Sequence, residues 1–327
     1  MSPYSLILFL ICAHTLVSAV TDVDFQLDLN SEVSNTDQLL ESGSNNLYFA
    51  PDTATARKNE RHFPYSLRFK ENFQAESSQS GCFIYKLKKG WKKADCSYQG
   101  LSSIADLHFD DPGSISVLDL TGNNVETIPM GVWTEYSGLK YLILSINNLT
   151  RLENNSFWGL SKLKRLDLQG NYVAMTKENV PESVFQPLTS LRTLRLENNT
   201  HSKLSTPETY PHWALAHISS LKNLYIDGFR DQKFGVGFRN MTSLRYLSLS
   251  GYNGRCYLGH LKNDTFEHLG QLERLMMRRC GIHAHGIDKG VLGPFTKLQR
   301  LDVSRNVDIN LDVVVSAMSW HEAFQGI

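Results

Sequence analysis

The sequence lacks long apolar runs, catalytic motifs and a net charge. An apolar run near the amino terminus is too short to cross a bilayer, and no later stretch reaches the length of about 18 apolar residues that a transmembrane helix needs. No phosphate-binding glycine loop, G-x-S-x-G or H-E-x-x-H motif is present. With 33 basic and 33 acidic residues, the composition argues against a nucleic-acid-coating tail or a disordered acidic protein. We therefore predict a folded protein that is not an enzyme and has no cofactor.

One pair of histidines is the nearest approach to a metal site. His283 and His285 could offer two ligands, with Asp288 nearby. Their loop position and the lack of further partners favour a solvated pair, so no metal site is predicted.

The first residues have the features of a secretion signal. A short apolar run over 6–17 is followed by Ser18 and Ala19, with small residues at the cleavage positions. This pattern predicts a signal peptide over 1–19, although a buried amphiphilic segment is the alternative. Residues 20–80 are rich in Ser, Asn, Asp and Glu and show no apolar period, so we expect a disordered leader there.

An eleven-residue pattern, L-x-x-L-x-L-x-x-N-x-L, recurs eight times from residue 114 to the end of the chain at residue 327. Successive copies are 23 to 30 residues apart, which is typical of leucine-rich repeats. The copies begin at Ile115, Leu139, Leu163, Leu191, Leu221, Leu244, Leu272 and Leu298. Asparagine occupies the ninth position in five of them, and Phe229, Tyr252 and Cys280 occupy it in the others. We expect the two copies with an aromatic residue there to be locally irregular, since neither side chain can replace the amide of asparagine.

The spacing of the repeat explains the fold that it predicts. Leu142 and Leu144 alternate, so a short strand can direct both side chains inward, and Asn147 can bond to backbone groups at the turn that follows. No single copy can bury its apolar edge alone, but stacked copies can. The sequence therefore predicts an α/β fold, a leucine-rich-repeat solenoid of horseshoe form with a parallel sheet on its concave face.

Residues 81–113 stand where a solenoid needs a cap over its first coil. Cys12 leaves with the predicted signal peptide, and four cysteines allow three pairings. We pair Cys82 with Cys96, because they close the two ends of a predicted hairpin whose lysines, including Lys93, are interpreted as solvated. An insertion could bring Cys256 to Cys280 as a second bridge, with a buried thiol at Cys280 as the alternative.

Five sequons of the form N-x-S/T suggest a glycoprotein. Two of them, Asn148 and Asn198, lie beside the turn position and are expected to be more tightly packed. The other three, Asn154, Asn240 and Asn263, fall on the return side of their repeats and are the preferred sites.

The outward positions of the predicted strands carry more basic than acidic residues, although the whole chain is neutral. Such a face could attract phosphorylated lipids, nucleic acid or sulfated glycans, whereas a solvated filling of the repeat is the alternative. The candidate ligand face consists of Arg165, Arg195, Tyr225, Arg245, Arg274 and Arg278.

The cap and the repeats resemble a known family over residues 82–327. The two-cysteine cap followed by Tyr98-Gln-Gly-Leu-Ser-Ser-Ile104, and repeats ending at Asn123 and Asn306, are similar to the amino-terminal part of a Toll-like receptor ectodomain. The resemblance implies an extracellular module that binds microbial or protein ligands and dimerises. It also implies a membrane helix and a signalling domain, which this sequence does not contain. We interpret the chain as the front of a longer receptor, with a secreted matrix or adhesion protein as the alternative.

Overall fold

The computed structural model describes residues 75–77, 81–87, 90–199, 208–249 and 256–318. These residues contain a sheet of eleven strands whose spatial order is the order of the chain. The strands are β1 (Ala75–Ser77), β2 (Phe83–Lys86), β3 (Lys92–Asp95), β4 (Ile115–Asp119), β5 (Tyr141–Ile143), β6 (Arg165–Asp167), β7 (Thr193–Arg195), β8 (Asn223–Tyr225), β9 (Tyr246–Ser248), β10 (Arg274–Met276) and β11 (Arg300–Asp302).

All eight predicted repeats contribute one strand each, from β4 to β11, and these strands are parallel and in register. The return segments are mainly turns, with short 3-10 helices at Ile104–Asp106, Pro112–Ser114, Val236–Asn240 and Ala284–Gly286. Two α-helices lie in the described residues, α1 (His212–Leu215) and α2 (Leu311–Met318). The predicted leucine-rich-repeat solenoid with a parallel sheet is confirmed.

The inner leucines form one continuous column behind the sheet. Leu142 is paired through the backbone with Leu118 on one side and Leu166 on the other, and none of the three is exposed to solvent. Each such side chain contributes roughly 2 kcal/mol on burial, because its apolar surface leaves water only when the neighbouring coils are in place.

The asparagines of the repeat form a second column, in the buried turn after each strand. The side chain of Asn147 donates to the carbonyls of Leu120 and Leu144, at 2.9 and 3.2 Å, and accepts from the amide of Val125 at 3.1 Å. Asn171 and Asn199 repeat the arrangement one and two coils later. Each amide thus joins its own turn to the preceding coil, and buried backbone groups that no strand pairs are satisfied.

The residue before the asparagine adopts a left-handed backbone in coil after coil. It is glycine in two coils, Gly122 and Gly170, with φ of 69° and 71°. In other coils it is a residue with a side chain, for example Ile146 at 56° and Asn198 at 60°. The turn geometry therefore overrides the ordinary cost of a positive φ, which is highest for a β-branched residue such as Ile146.

Coil five departs from the asparagine column, as expected for a repeat with Phe229 at the turn. The amide of Phe229 donates to the hydroxyl of Tyr210 at 3.3 Å, and the two rings lie 5.1 Å apart. The buried carboxylate of Asp227 takes over part of the missing role, since it accepts from the amides of Asn198 and Asn199 at 3.0 and 3.2 Å. Tyr252, at the turn of coil six, lies outside the described residues.

The amino-terminal cap is a hairpin that extends the sheet. Strands β2 and β3 are antiparallel, and β3 then pairs in parallel with β4. A disulfide joins Cys82 to Cys96, and both side chains are fully buried. Strand β1 pairs with β2 and lies within the stretch 20–80 for which the sequence predicts a disordered leader, so regular structure begins before residue 81. The predicted signal peptide and the rest of that leader lie outside the described residues.

Helix α2 is the return segment of the last coil, and it packs against the return segment of coil seven. The amides of Gly290 and Leu292 donate to the carbonyls of Ser316 and Ala317, at 3.1 and 2.9 Å. Val314 and Ala317 line a small apolar cavity together with other residues of coils six, seven and eight. The helix therefore continues the stack of return segments by one coil.

Candidate ligand-binding face

The face of the sheet opposite the leucine core is where the strands present their non-leucine side chains. Because side chains alternate along a strand, the residues on either side of each inner leucine point away from the core. In β6 these are Arg165 and Asp167, in β7 Thr193 and Arg195. Register pairing places Arg165 beside Thr193 and Asp167 beside Arg195, so that side chains from neighbouring coils meet in rows.

A buried ion network occupies the middle of this face. Arg195 contacts Glu197 at 2.6 Å and Asp167 at 3.7 Å, and Arg165 contacts Asp167 at 3.2 Å. Both carboxylates are almost fully buried. Burial disfavours the charged form of Arg195, but attraction to Glu197 and Asp167 outweighs it and raises the pKa of the guanidinium above its ordinary value. Burial raises the pKa of Glu197, and the pairing with Arg195 offsets only part of this effect.

A row of two tyrosines between two arginines continues from this network towards β10. The guanidinium of Arg195 lies 5.1 Å from the ring centre of Tyr225, whose ring lies 5.0 Å from that of Tyr246. The guanidinium of Arg274 then lies 5.4 Å from the ring of Tyr246. Burial raises the pKa of both phenols, so both stay protonated and can donate a hydrogen bond at neutral pH. The row crosses four strands and can contact a ligand through cation–π, stacking and hydrogen-bond interactions.

Four of the six predicted face residues belong to this row or network, namely Arg165, Arg195, Tyr225 and Arg274. Arg245 does not. It lies one residue before β9, contacts Glu273 at 3.2 Å and donates to backbone carbonyls of its own turn. Arg278 lies two residues beyond the end of β10 and is also outside the row. The expected excess of positive charge is therefore reduced on the middle of the face, because buried carboxylates neutralise its arginines.

Sequence reasoning missed Tyr246, which joins Tyr225 to Arg274. A signal was available, because Tyr246 stands immediately before an inner leucine, the position that Arg165 and Arg274 hold in their coils. The sequence prediction of the face rests on charge at these outward positions, whereas the contact that completes the row is aromatic.

Lys93, interpreted from the sequence as a solvated hairpin residue, is instead buried at the cap end of the face. Its ammonium contacts Asp95 at 3.0 Å and Asp119 at 3.1 Å. Burial opposes its charge, but the two carboxylates outweigh it and raise the pKa of Lys93. The interpretation failed because the pairing of β3 with β4, which brings Asp119 to Lys93, is a long-range contact. Lys88 and Lys89 lie outside the described residues.

Three buried polar atoms of the described residues have no hydrogen-bond partner. These are Nε of Arg165, Oδ1 of Asn198 and Nε of Arg300. Buried polar groups are nearly always paired in folded proteins, so each of the three can take a further partner. Arg165 is the one that lies within the network of the face.

A second disulfide joins Cys256 to Cys280, and both side chains are buried. Cys280 holds the position that asparagine has in other coils, and its amide donates to Oδ1 of Asn306 at 2.8 Å. The bridge therefore fixes the segment that follows β9 in coil six to the turn of coil seven, in place of the missing amide side chain.

The five sequons differ in their surroundings. Asn154, Asn240 and Asn263 are exposed on return segments, whereas Asn148 and Asn198 are half-buried. Asn198 also has a left-handed backbone, and its amide donates to Asp227. Their use for glycosylation stays a prediction.

No cluster of three or more potential metal ligands occurs in the part of the chain that the structure describes. The rings of His283 and His285 lie 5.2 Å apart. Within the same residues, none of the helices has the length and apolarity that a membrane span requires.

Comparison with known proteins places these features in a class. A family model described as leucine rich repeat matches residues 98–173. The chain is 27% identical over 166 residues to Toll-like receptor 4 of Pinctada imbricata, a match that covers 51% of this chain and 18% of that receptor. It is 30% identical over 164 residues to Toll-like receptor 2 type-2 of Gallus gallus, with 49% and 20% covered. It is 27% identical over 232 residues to podocan-like protein 1 of Mus musculus, with 64% and 39% covered.

A solved structure gives the same fold. The structure of a TLR13–ssRNA13 complex aligns with 69% of this chain and 32% of that chain, at 26% identity and a TM-score of 0.54. The matched part of the chain spans 18% to 39% of the length of the two Toll-like receptors and the podocan-like protein. The repeats and the parallel sheet therefore define a leucine-rich-repeat solenoid protein. Within that class it resembles the amino-terminal part of a Toll-like receptor ectodomain, and it is also related to podocan-type repeat proteins.

Proposed function

We propose that the chain is the extracellular ligand-recognition module of a Toll-like innate immune receptor, and that it binds its ligand on the sheet face. The observation that carries this proposal is the row formed by Arg195, Tyr225, Tyr246 and Arg274. Arginine and tyrosine are the residue types that most often dominate binding energy at interfaces, and here they stack in contact across four coils.

Two further observations support an extracellular receptor module. The two buried disulfides fit an oxidising compartment, where such bridges form and persist. The solved relative is a complex with ssRNA13, which supports ligand binding by repeats of this kind. The ligand class that we propose is a microbial molecule or a protein, and dimerisation around the ligand would follow the pattern of the family.

The proposal includes processing of the chain in the secretory pathway. Residues 1–19 would direct secretion, and Asn154, Asn240 and Asn263 would carry glycans. Expression of the full chain in an animal cell line tests both points. We expect the mature protein in the medium to start at Val20 and to lose mass on treatment with an N-glycosidase.

The ligand-binding test uses the secreted full chain and a panel of microbial molecules: a lipopeptide, peptidoglycan fragments, lipopolysaccharide, flagellin and single-stranded RNA. Any binder is measured again with the Tyr225→Ala/Tyr246→Ala double variant and with Arg274→Gln, whose exposed side chain can be changed without disturbing the core. The control is Trp158→Ala, which removes one large aromatic group that is 59% exposed on a return segment.

We expect the double variant to weaken binding at least tenfold, because two aromatic contacts are lost, and the control to bind as the wild type does. A binder that is weakened by Trp158→Ala but not by the two sheet-face variants would refute the assignment of the face. The related podocans support the alternative of a secreted matrix or adhesion protein. That alternative predicts binding to matrix proteins and none to any member of the microbial panel.

A further inference from the structure

A second row of side chains, distinct from the ligand face, runs along the edge of the sheet where the strands begin. In five successive coils the residue that follows the first leucine of the repeat is basic. These five residues, here called the entry row, are Lys140, Lys164, Arg192, Lys222 and Arg245. The structure places them directly beside one another.

Backbone hydrogen bonds fix the spacing of the entry row. The amide of Lys164 donates to the carbonyl of Lys140 at 2.8 Å, and the contact is repeated from Arg192 to Lys164 and from Lys222 to Arg192, each at 2.8 Å. Arg245 donates to Lys222 at 2.9 Å. Adjacent strands are about 4.8 Å apart, so the five Cα atoms span about 19 Å in a nearly straight line.

The sequence immediately around each member of the entry row contains no acidic residue. The five tetrapeptides that contain it, all within the described residues, read Gly-Leu-Lys-Tyr, Lys-Leu-Lys-Arg, Ser-Leu-Arg-Thr, Ser-Leu-Lys-Asn and Ser-Leu-Arg-Tyr. They hold seven basic residues and no acidic one. Glu273, in the next coil, ends the row and pairs with Arg245 at 3.2 Å. Within the part of the chain that the structure describes, no carboxylate lies within ion-pair distance of Lys164 or Lys222.

The like charges of the entry row act on one another. Partial burial lowers the pKa of Lys140, and the positive charges of Lys164 and Lys162 lower it further. Its ammonium also lies 4.1 Å from the ring centre of Trp91, a contact that keeps the side chain at the head of the row. Binding of a polyanion to clustered cations of this kind is favourable, because the polyanion neutralises them and releases its own bound counterions.

We propose that the entry row binds a linear sulfated polysaccharide along the edge of the sheet. A linear polyanion matches a straight row of evenly spaced cations better than a compact anion does. Proteins that bind single-stranded nucleic acid usually stack successive bases on aromatic side chains, and the tetrapeptides of the three middle members, Lys164, Arg192 and Lys222, contain no aromatic residue. Sulfated polysaccharides are also the polyanions of the extracellular space, the compartment to which the two disulfides point.

The test is elution of the secreted full chain from immobilised heparin in a salt gradient. The wild type is compared with the double variant Lys164→Gln/Lys222→Gln, which removes two cations and keeps most of the length of both side chains. The matched control is Lys177→Gln/Lys262→Gln, which removes the same charge from exposed positions away from the entry row. Binding is also measured in solution against log salt concentration, with heparin and with unsulfated hyaluronan.

We expect the wild type to be retained at about 0.15 M salt, an ionic strength at which a Debye length of about 8 Å screens isolated surface charges. The entry-row variant should elute at clearly lower salt, and its log–log salt dependence should be less steep by about 1.5, which corresponds to two lost contacts. The control should elute with the wild type, and hyaluronan should bind at least tenfold more weakly than heparin.

Equal effects of the two double variants would show that only net charge matters and would overturn the proposal. Displacement from heparin by polyuridylic acid at a lower charge concentration than soluble heparin requires would also overturn it, in favour of nucleic acid. The proposal does not depend on the ligand face, because Tyr225→Ala/Tyr246→Ala should leave heparin elution unchanged. Failure of either proposal is therefore separable from failure of the other.

Discussion

The asparagine column allows a quantitative prediction at the junction of the cap and the first coil. Asn123 donates to the carbonyls of Cys96 and Leu120, both at 2.9 Å, and accepts from the amides of Gln99 and Leu101, both at 3.0 Å. Replacement by alanine leaves two carbonyls and two amides without this partner in a site that is nearly dry, since Asn123 is 4% exposed.

Each buried group that loses its partner costs about 1–3 kcal/mol, and bonds that re-form in the relaxed turn offset part of the sum. We expect Asn123→Ala to lower the free energy of unfolding by about 4 kcal/mol. The adjacent Asn124→Ala is the matched control. Asn124 is exposed, and the bond that it makes is from its backbone amide, to the carbonyl of Leu101.

The assay is urea unfolding followed by circular dichroism, together with hydrogen exchange at the amides of Gln99 and Leu101. Because a solenoid can open from one end, the exchange measurement shows whether the loss is local to the cap. If the free energies of unfolding of Asn123→Ala and Asn124→Ala differ by less than about 1 kcal/mol and the two amides stay protected, the reasoning about the asparagine column is wrong.

Two further predictions concern the same end of the molecule. Gly122 has a φ of 69°, and a Cβ there would overlap the ring of Tyr98. We therefore expect Gly122→Ala to lower the free energy of unfolding by about 2 kcal/mol, measured by thermal unfolding. Adding Tyr98→Ala should recover only the part of this loss that is due to the ring, and full recovery would contradict the backbone argument. Burial opposes the charge of Asp95, but bonds from Ser97 and attraction to Lys93 outweigh it, so its folded pKa lies below the ordinary 3.8. The stability that ionised Asp95 contributes is therefore present above about pH 4, and it is lost as pH falls through the folded pKa of Asp95. The folded pKa of Lys93 is raised. The stability that charged Lys93 contributes is therefore present below pH 10.5, and it is lost as pH rises through the folded pKa of Lys93. Tryptophan fluorescence against pH should show both limits in the wild type. Lys93→Met should lose the alkaline limit and keep a smaller acid limit, because the bonds from Ser97 to Asp95 remain. An unchanged profile in that variant would contradict the assignment.

The candidate site shows which features the period of the repeat can predict and which it cannot. Register follows from the repeat, so the spacing of the leucines is enough to place Arg165, Arg195, Tyr225 and Arg274 on one face. The same spacing does not show that Asp167 and Glu197 are buried against the arginines, because burial depends on how side chains from neighbouring coils cover each other. The sequence therefore predicts a net excess of positive charge on the face, whereas the folded chain carries that excess on the entry row.

Spacing along the chain is enough to predict the number of coils, the inner leucines, the turn asparagines and the hairpin that Cys82 and Cys96 close. These are local or strictly periodic features, and each can be derived from a spacing along the chain. The folded structure is needed to show which charges are neutralised. Lys93 meets Asp119, Arg195 meets Tyr225 and Lys140 lies over Trp91 because separate coils pack side by side, and the energy of each contact depends on distances that no repeat pattern specifies.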